Sequence, residues 1–130
     1  MNYLLDSHTW LWWLAGDPRL GNRAARVLSQ PDSGLYLSAA TAWELTIKVS
    51  LGKLVLQYSL DEVLREQRVR HQVHWLDISL EHCRALAPLP FHHRDPFDRL
   101  LIAQALCEGM ALLSADSQFD AYSILRVWSD

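Results

Sequence analysis

The stretch His92-His93-Arg94-Asp95-Pro96-Phe97-Asp98-Arg99-Leu100-Leu101-Ile102-Ala103-Gln104-Ala105 decides how the rest of the chain is read. It opens a helix. Asp95 reads as the N-cap, because its short carboxylate can accept a backbone N–H that the first turn leaves free. Pro96 falls at the first helical position, where a missing N–H costs nothing. Asp98 falls three residues after the cap, near the positive end of the helix dipole. Starting a helix is explanation enough for Asp95. Asp98 asks for more, because Asp6, Glu44 and Asp116 stand at comparable junctions along the chain.

Outward from that helix, short apolar runs alternate with helical segments. Tyr3-Leu4-Leu5 predicts a buried strand ending at Asp6, with Ser7 capping a helix over 8–15 that Gly16-Asp17-Pro18 stops. A second short helix is expected over 20–30, with Arg19, Arg23 and Arg26 along one side. Leu35-Tyr36-Leu37 predicts the next strand, and a helix over 39–51 follows, carrying Glu44 and ending at Gly52. Ser59 and Ser79 read as caps of helices over 60–70 and 80–87, on either side of a strand over 75–78. The helix of Asp98 runs to Cys107. A fourth strand over 110–113 ends near Asp116, and a fifth over 124–128 lies at an edge. Short, continuously apolar strands alternating with helices predict an α/β fold. Its sheet is mostly parallel, with four or five strands and helices on both faces, giving three α/β/α layers in one domain over 1–130.

At 130 residues the chain can bury a core without disulfides or structural metal. Cys83 and Cys107 form no C-x-x-C pair and read as reduced thiols. The formal charge of −3 gives no general basic field, so any nucleic-acid role rests on local patches or metal ions. Asp6 and His8 interrupt the apolar N-terminus, no basic region precedes it, and no apolar run reaches the ~18 residues of a membrane span. A cytoplasmic protein is expected, with no membrane partner.

In such a sheet every strand points its C-terminal end to one rim, where ligands bind. Asp6 and Asp116 follow strand ends, and Glu44 and Asp98 sit on helices that begin at that rim. All four are therefore expected at one end. Four carboxylates in one cleft repel each other, so a cation must neutralise them or some must stay protonated. An all-carboxylate donor set suits Mg²⁺ or Mn²⁺ better than zinc. Two such ions ~3.5–4 Å apart can activate water and stabilise the leaving oxygen of a phosphodiester, which makes a nuclease the leading chemistry.

Plainer readings stand beside this one. Asp6 can cap a helix, Glu44 can pair with Lys48 four residues on, and Asp116 can be a turn residue. Asp95 and Asp120 read as structural. Together these would describe a non-catalytic α/β binding module. Another phosphoryl-transfer enzyme, with an aspartate nucleophile after the first strand, would want a second acid two residues beyond Asp6, where His8 stands. A receiver-like domain fits the spread of acids poorly, and a dinucleotide site would need G-x-G-x-x-G after the first strand. His92-His93 reads as a solvated loop, since adjacent side chains rarely bind one ion.

Over nearly its whole length the chain resembles PIN-domain ribonucleases, specifically VapC-type toxins of type II toxin–antitoxin pairs. The resemblance rests on Leu4-Leu5-Asp6-Ser7-His8, on Ser38-Ala39-Ala40-Thr41-Ala42-Trp43-Glu44-Leu45 with Lys48 and Gly52, on Asp95 to Ala105, and on Leu113-Ser114-Ala115-Asp116 with Phe119 and Tyr122. It implies that Asp6, Glu44, Asp98 and Asp116 form a catalytic Mg²⁺ or Mn²⁺ site for RNA hydrolysis. Ser114, often Thr in the family, would hydrogen-bond an acid or a bound water. The resemblance also implies a homodimer and a cognate antitoxin that wraps a helix-lined groove. Lys48, Arg99 and the Arg65/Arg68/Arg70 group are the expected phosphate contacts. Of the six tryptophans, Trp12 points away from Trp10 and Trp13 at helical spacing; it is read either as part of a partner surface, with parts of the 60–70 helix, or, like Trp10 and Trp13, as core or partly covered surface.

Overall fold

Each of the five apolar runs becomes a strand: β1 (Asn2–Leu5), β2 (Gly34–Ser38), β3 (His74–Leu76), β4 (Ala111–Leu113) and β5 (Arg126–Val127). A computed structural model describes residues 1–70 and 72–130, and of residues 67–70 the backbone alone. The strands form one sheet in the order β3-β2-β1-β4-β5, parallel throughout, with β1 at its centre. Leu5 lies beside Leu37 on one side and Leu113 on the other, and Leu113 lies beside Val127. These strand ends define the rim.

Six helices connect the strands: α1 (Ser7–Ala15), α2 (Asn22–Ser29), α3 (Ala39–Ser50), α4 (Leu60–Arg70), α5 (Leu80–Leu86) and α6 (Pro96–Glu108). A strand turns successive side chains to opposite faces, and this sheet has a core on each. Leu5, Leu35, Leu37, Ala111 and Leu113 pack with Trp10 of α1, Val27 and Leu28 of α2 and Leu45 of α3. Leu4 and Leu112 turn the other way, onto Leu101, Ile102 and Ala105 of α6 with Phe119 and Tyr122. The result is the expected three-layer α/β/α arrangement.

Several ends differ from the sequence reading. Asp6, rather than Ser7, caps α1: its side chain accepts the Thr9 N–H. The second helix starts at Asn22 rather than residue 20 because Gly21 is pressed against the chain's C-terminal segment. A Cβ at Gly21 would lie 2.2 Å from the Trp128 carbonyl oxygen, and that oxygen accepts the Ala24 N–H at 2.9 Å. The third strand stops at Leu76 and the fifth covers Arg126–Val127, where each loses its sheet neighbour. The caps at Ser79 and Asp95 are as expected, and Gly109, at φ 64°, closes α6 in the left-handed conformation that a Cβ disfavours.

Candidate functional site

Asp6 is the first residue beyond β1. Its N–H still pairs with the Leu113 carbonyl at 3.2 Å, so the sheet fixes its backbone. Its buried carboxylate is held on both oxygens. Oδ1 accepts the Thr9 N–H at 2.9 Å, and Thr9 Oγ1 lies 2.6 Å from Oδ1 and 2.8 Å from the Leu113 carbonyl. Oδ2 accepts the Ser114 hydroxyl at 2.6 Å. Ser114 Oγ in turn accepts the Asp116 N–H at 3.0 Å. One buried hydroxyl thus ties the acid after β1 to the acid after β4.

Asp116 caps a 3₁₀ turn (Ser117–Ala121), its Oδ1 accepting the Gln118 N–H at 2.9 Å. Its Oδ2 faces His93 Nε2 at 3.3 Å. Asp98 lies in the first turn of α6, below the Asp95 cap, whose Oδ1 accepts the Phe97 N–H at 2.8 Å. Burial pushes the Asp98 carboxyl up to about 7, and repulsion from Asp95, Glu44, Asp6 and Asp116 adds to it. The other three expected acids therefore all act on Asp98, with Asp95 as a fourth. Glu44, half-buried on α3, has Lys48 Nζ at 3.5 Å. Beside these acids, Trp43 is 59% exposed and meets Phe97 edge-on, ring centroids 5.2 Å apart.

Other residues fall elsewhere. Arg99 is buried and donates to the carbonyls of Pro90 at 2.9 Å and Leu89 at 3.2 Å, so it braces the 86–90 turn and is not open to a phosphate. Arg65 pairs with Asp61 across one turn of α4, and the side chains of Arg68 and Arg70 lie outside the described residues. Asp120 is structural: Arg126 binds both its oxygens and holds its carboxyl below the usual range. Trp12 is half-buried against Trp128, with the Arg19 guanidinium 4.8 Å over its ring, so its own chain covers part of it. Instead, Trp13 lines an apolar groove of about 540 Å³ with Leu11, Leu14, Val55, Tyr58 and Val63.

The His92-His93 pair is not one solvated unit. His92 is exposed, but His93 is buried and stacks on Phe119 at 4.5 Å and 20°. Phe119 and Tyr122, the aromatics that enclose it, lie some distance along the chain, so nothing adjacent to the pair marked it. Donor atoms of His93, Asp98 and Asp116 all lie within 4.8 Å of one another. The repulsion that adds to the burial of Asp98 is what a divalent cation relieves, and carboxylate oxygens are the donors Mg²⁺ and Mn²⁺ take. The residues present fit such an ion.

The PIN domain family profile matches residues 3–125. The chain belongs to the PIN-domain family. No curated protein sequence matches it significantly, but solved structures share the PIN fold. A chain of VapBC2 from Rickettsia felis, bound to a promoter DNA fragment, is similar with a TM-score of 0.75 and 15% identity, over 98% of this chain and 99% of that one. A chain of VapBC-1 from nontypeable Haemophilus influenzae gives 0.66 and 19%, over 98% and 97%. A toxin–antitoxin complex from Klebsiella pneumoniae gives 0.61 and 14%, over 93% and 92%. Among the described residues, no helix of this PIN domain is long and apolar enough to cross a membrane.

Proposed function

We propose that this PIN domain is a Mg²⁺- or Mn²⁺-dependent endoribonuclease, the VapC-type toxin of a toxin–antitoxin pair. The observation that supports the reading is Asp98, raised to about 7 by burial and by repulsion from Asp95, Glu44, Asp6 and Asp116, with Asp116 and His93 donor atoms within 4.8 Å of its own. Asp6, Asp98 and Asp116 would hold the metal. Glu44 would hold a second ion or orient the attacking water, and Lys48 moderates its charge. The ions, when bound, supply the Lewis acidity that activates water and stabilises the leaving oxygen of a phosphodiester. Thr9 and Ser114 keep the Asp6 oxygens in place, so the first acid need not reorganise as substrate binds.

An antitoxin would cover the groove at Leu11, Trp13, Leu14 and Val63, an apolar surface of the kind that takes a partner helix. The likeness to VapBC and toxin–antitoxin complexes supports that partner, and a homodimer and a cytoplasmic site of action belong to the same reading. The test is cleavage of a mixed RNA pool by antitoxin-free protein in Mg²⁺ or Mn²⁺, beside Asp98→Asn. Metal-dependent cleavage that the variant loses without losing its fold is the expected result. No cleavage and no divalent binding by calorimetry would leave a non-catalytic module.

A further inference from the structure

His93 lies outside the four acids, yet it is a tightly held side chain at their edge. It is 5% exposed. Its ring is stacked on Phe119 and tilted against Tyr122 at 5.5 Å. Its backbone N–H donates to the Tyr122 hydroxyl at 3.0 Å. The two aromatic contacts set the plane of the imidazole, and within that plane Nε2 faces Asp116 Oδ2 at 3.3 Å.

The tautomer follows from the other nitrogen. Nδ1 is buried and has no hydrogen-bond partner among the described residues. A proton there would be an orphaned donor, which buried sites rarely tolerate, whereas a bare acceptor is the lesser cost. The proton therefore belongs on Nε2, where the Asp116 carboxylate accepts it. Asp116 Oδ1 already accepts the Gln118 N–H. With both oxygens engaged, the carboxylate is held in rotation, with a carboxylate oxygen of Asp98 within 4.8 Å.

We propose that His93 is a positioning residue: its Nε2–H holds Asp116 in the orientation that binds the divalent cation. The proposal rests on the metal-dependent reading above. Hydrogen-bond partners of metal-binding carboxylates raise affinity by sparing the ligand a rotation, and losing one typically costs 10–100-fold in metal affinity.

The test is calorimetric titration of the metal-free protein with Mn²⁺ and, separately, Mg²⁺, together with metal-free melting temperatures. His93→Phe keeps a ring against Phe119 and removes the donor. His93→Gln places an amide N–H near the Nε2 position and gives up the ring. Should His93→Phe fail to fold, His93→Asn, whose amide stops at the Nδ1 position, replaces it. The expected result is about 10–100-fold weaker binding of both ions by His93→Phe at an unchanged metal-free melting temperature, with His93→Gln close to wild type. Unaltered affinity in His93→Phe overturns the proposal, as does equal loss in both variants, which would assign the effect to the imidazole itself rather than to an N–H held at the Nε2 position. Loss for Mn²⁺ alone also overturns it, because that pattern marks imidazole as a direct ligand. Wild type that binds neither ion fails the metal-dependent reading itself, and the role of His93 falls with it.

Discussion

Asp98 holds its proton to about 7, where an ordinary aspartate loses it near 3.8. The sign of the linkage follows. Between those values the unfolded chain has released the proton and the folded one keeps it, so the folded state binds more protons and stability falls as pH rises. Without divalent ions the melting temperature should carry a downward contribution from about pH 4 to about pH 7, level above that. Asp98→Asn removes this contribution, so scanning calorimetry in chelator should give a flatter pH profile for the variant than for wild type. Superimposable profiles would refute the assignment. Ser114 gives a second prediction at this scale. Its hydroxyl is buried between Asp6 Oδ2 and the Asp116 N–H, and Ser114→Ala leaves both without it. Urea unfolding should show a loss of about 1–3 kcal/mol. The placement of the acids was legible because Asp6 and Asp116 follow strand ends, Asp98 opens a helix and Glu44 lies on a helix that starts from a strand end, positions that topology sends toward one rim. His93 was not, because its surroundings are assembled from residues distant in sequence.

Helix α6 was the most legible element, since Asp95, Pro96 and Gly109 mark both of its ends by local chemistry. Local chemistry also misleads on this helix. Arg99, one residue after an expected metal-binding acid, has the sequence position of a phosphate contact, but its guanidinium satisfies carbonyls at Leu89 and Pro90 while its face covers the Phe91 ring at 3.9 Å. Those carbonyls are free because the chain leaves α5 there without a sheet or helix to pair them, a fact about tertiary path. The two roles predict different outcomes for Arg99→Met. A brace gives a loss of roughly 1.5–3 kcal/mol in urea unfolding, the range for hydrogen bonds to a charged group left unmade. A phosphate contact gives weaker RNA binding at unchanged stability, and that result would reverse the structural assignment. Helix α5 holds another tertiary device. His82 Nδ1 accepts the Ser79 N–H at 3.0 Å, so Nε2 carries the proton and faces Glu108 of α6 at 2.8 Å. A histidine at the third position of a capping box was invisible to a reading that expects Glu or Gln there.

Across the whole molecule, charge sets how RNA would be held. The net charge is −3, and three cations at or near the rim are already engaged: Lys48 with Glu44, Arg126 with Asp120, Arg99 with backbone carbonyls. On the proposed function a substrate phosphate would meet acids and the metal ions they hold rather than a basic groove, so counterion release would contribute little and RNA binding should depend only weakly on monovalent salt. Affinity must come from elsewhere. The large exposed surface at the rim is aromatic: Trp43, one residue before Glu44, packed edge-on against Phe97, one residue before Asp98. An unpaired base stacked on Trp43 would sit next to the acids without asking for charge, and such stacking contributes about 1–3 kcal/mol per base. Trp43→Ala should then raise KM for RNA by about 5- to 150-fold and leave kcat, divalent affinity and melting temperature near wild type. Trp43→Phe should recover most of the loss, because a smaller ring still offers a face. Steady-state cleavage with a short single-stranded RNA reads both. An unaltered KM in Trp43→Ala would remove stacking from the account of binding, and a monomeric variant from a dimeric wild type would assign the ring to self-association instead.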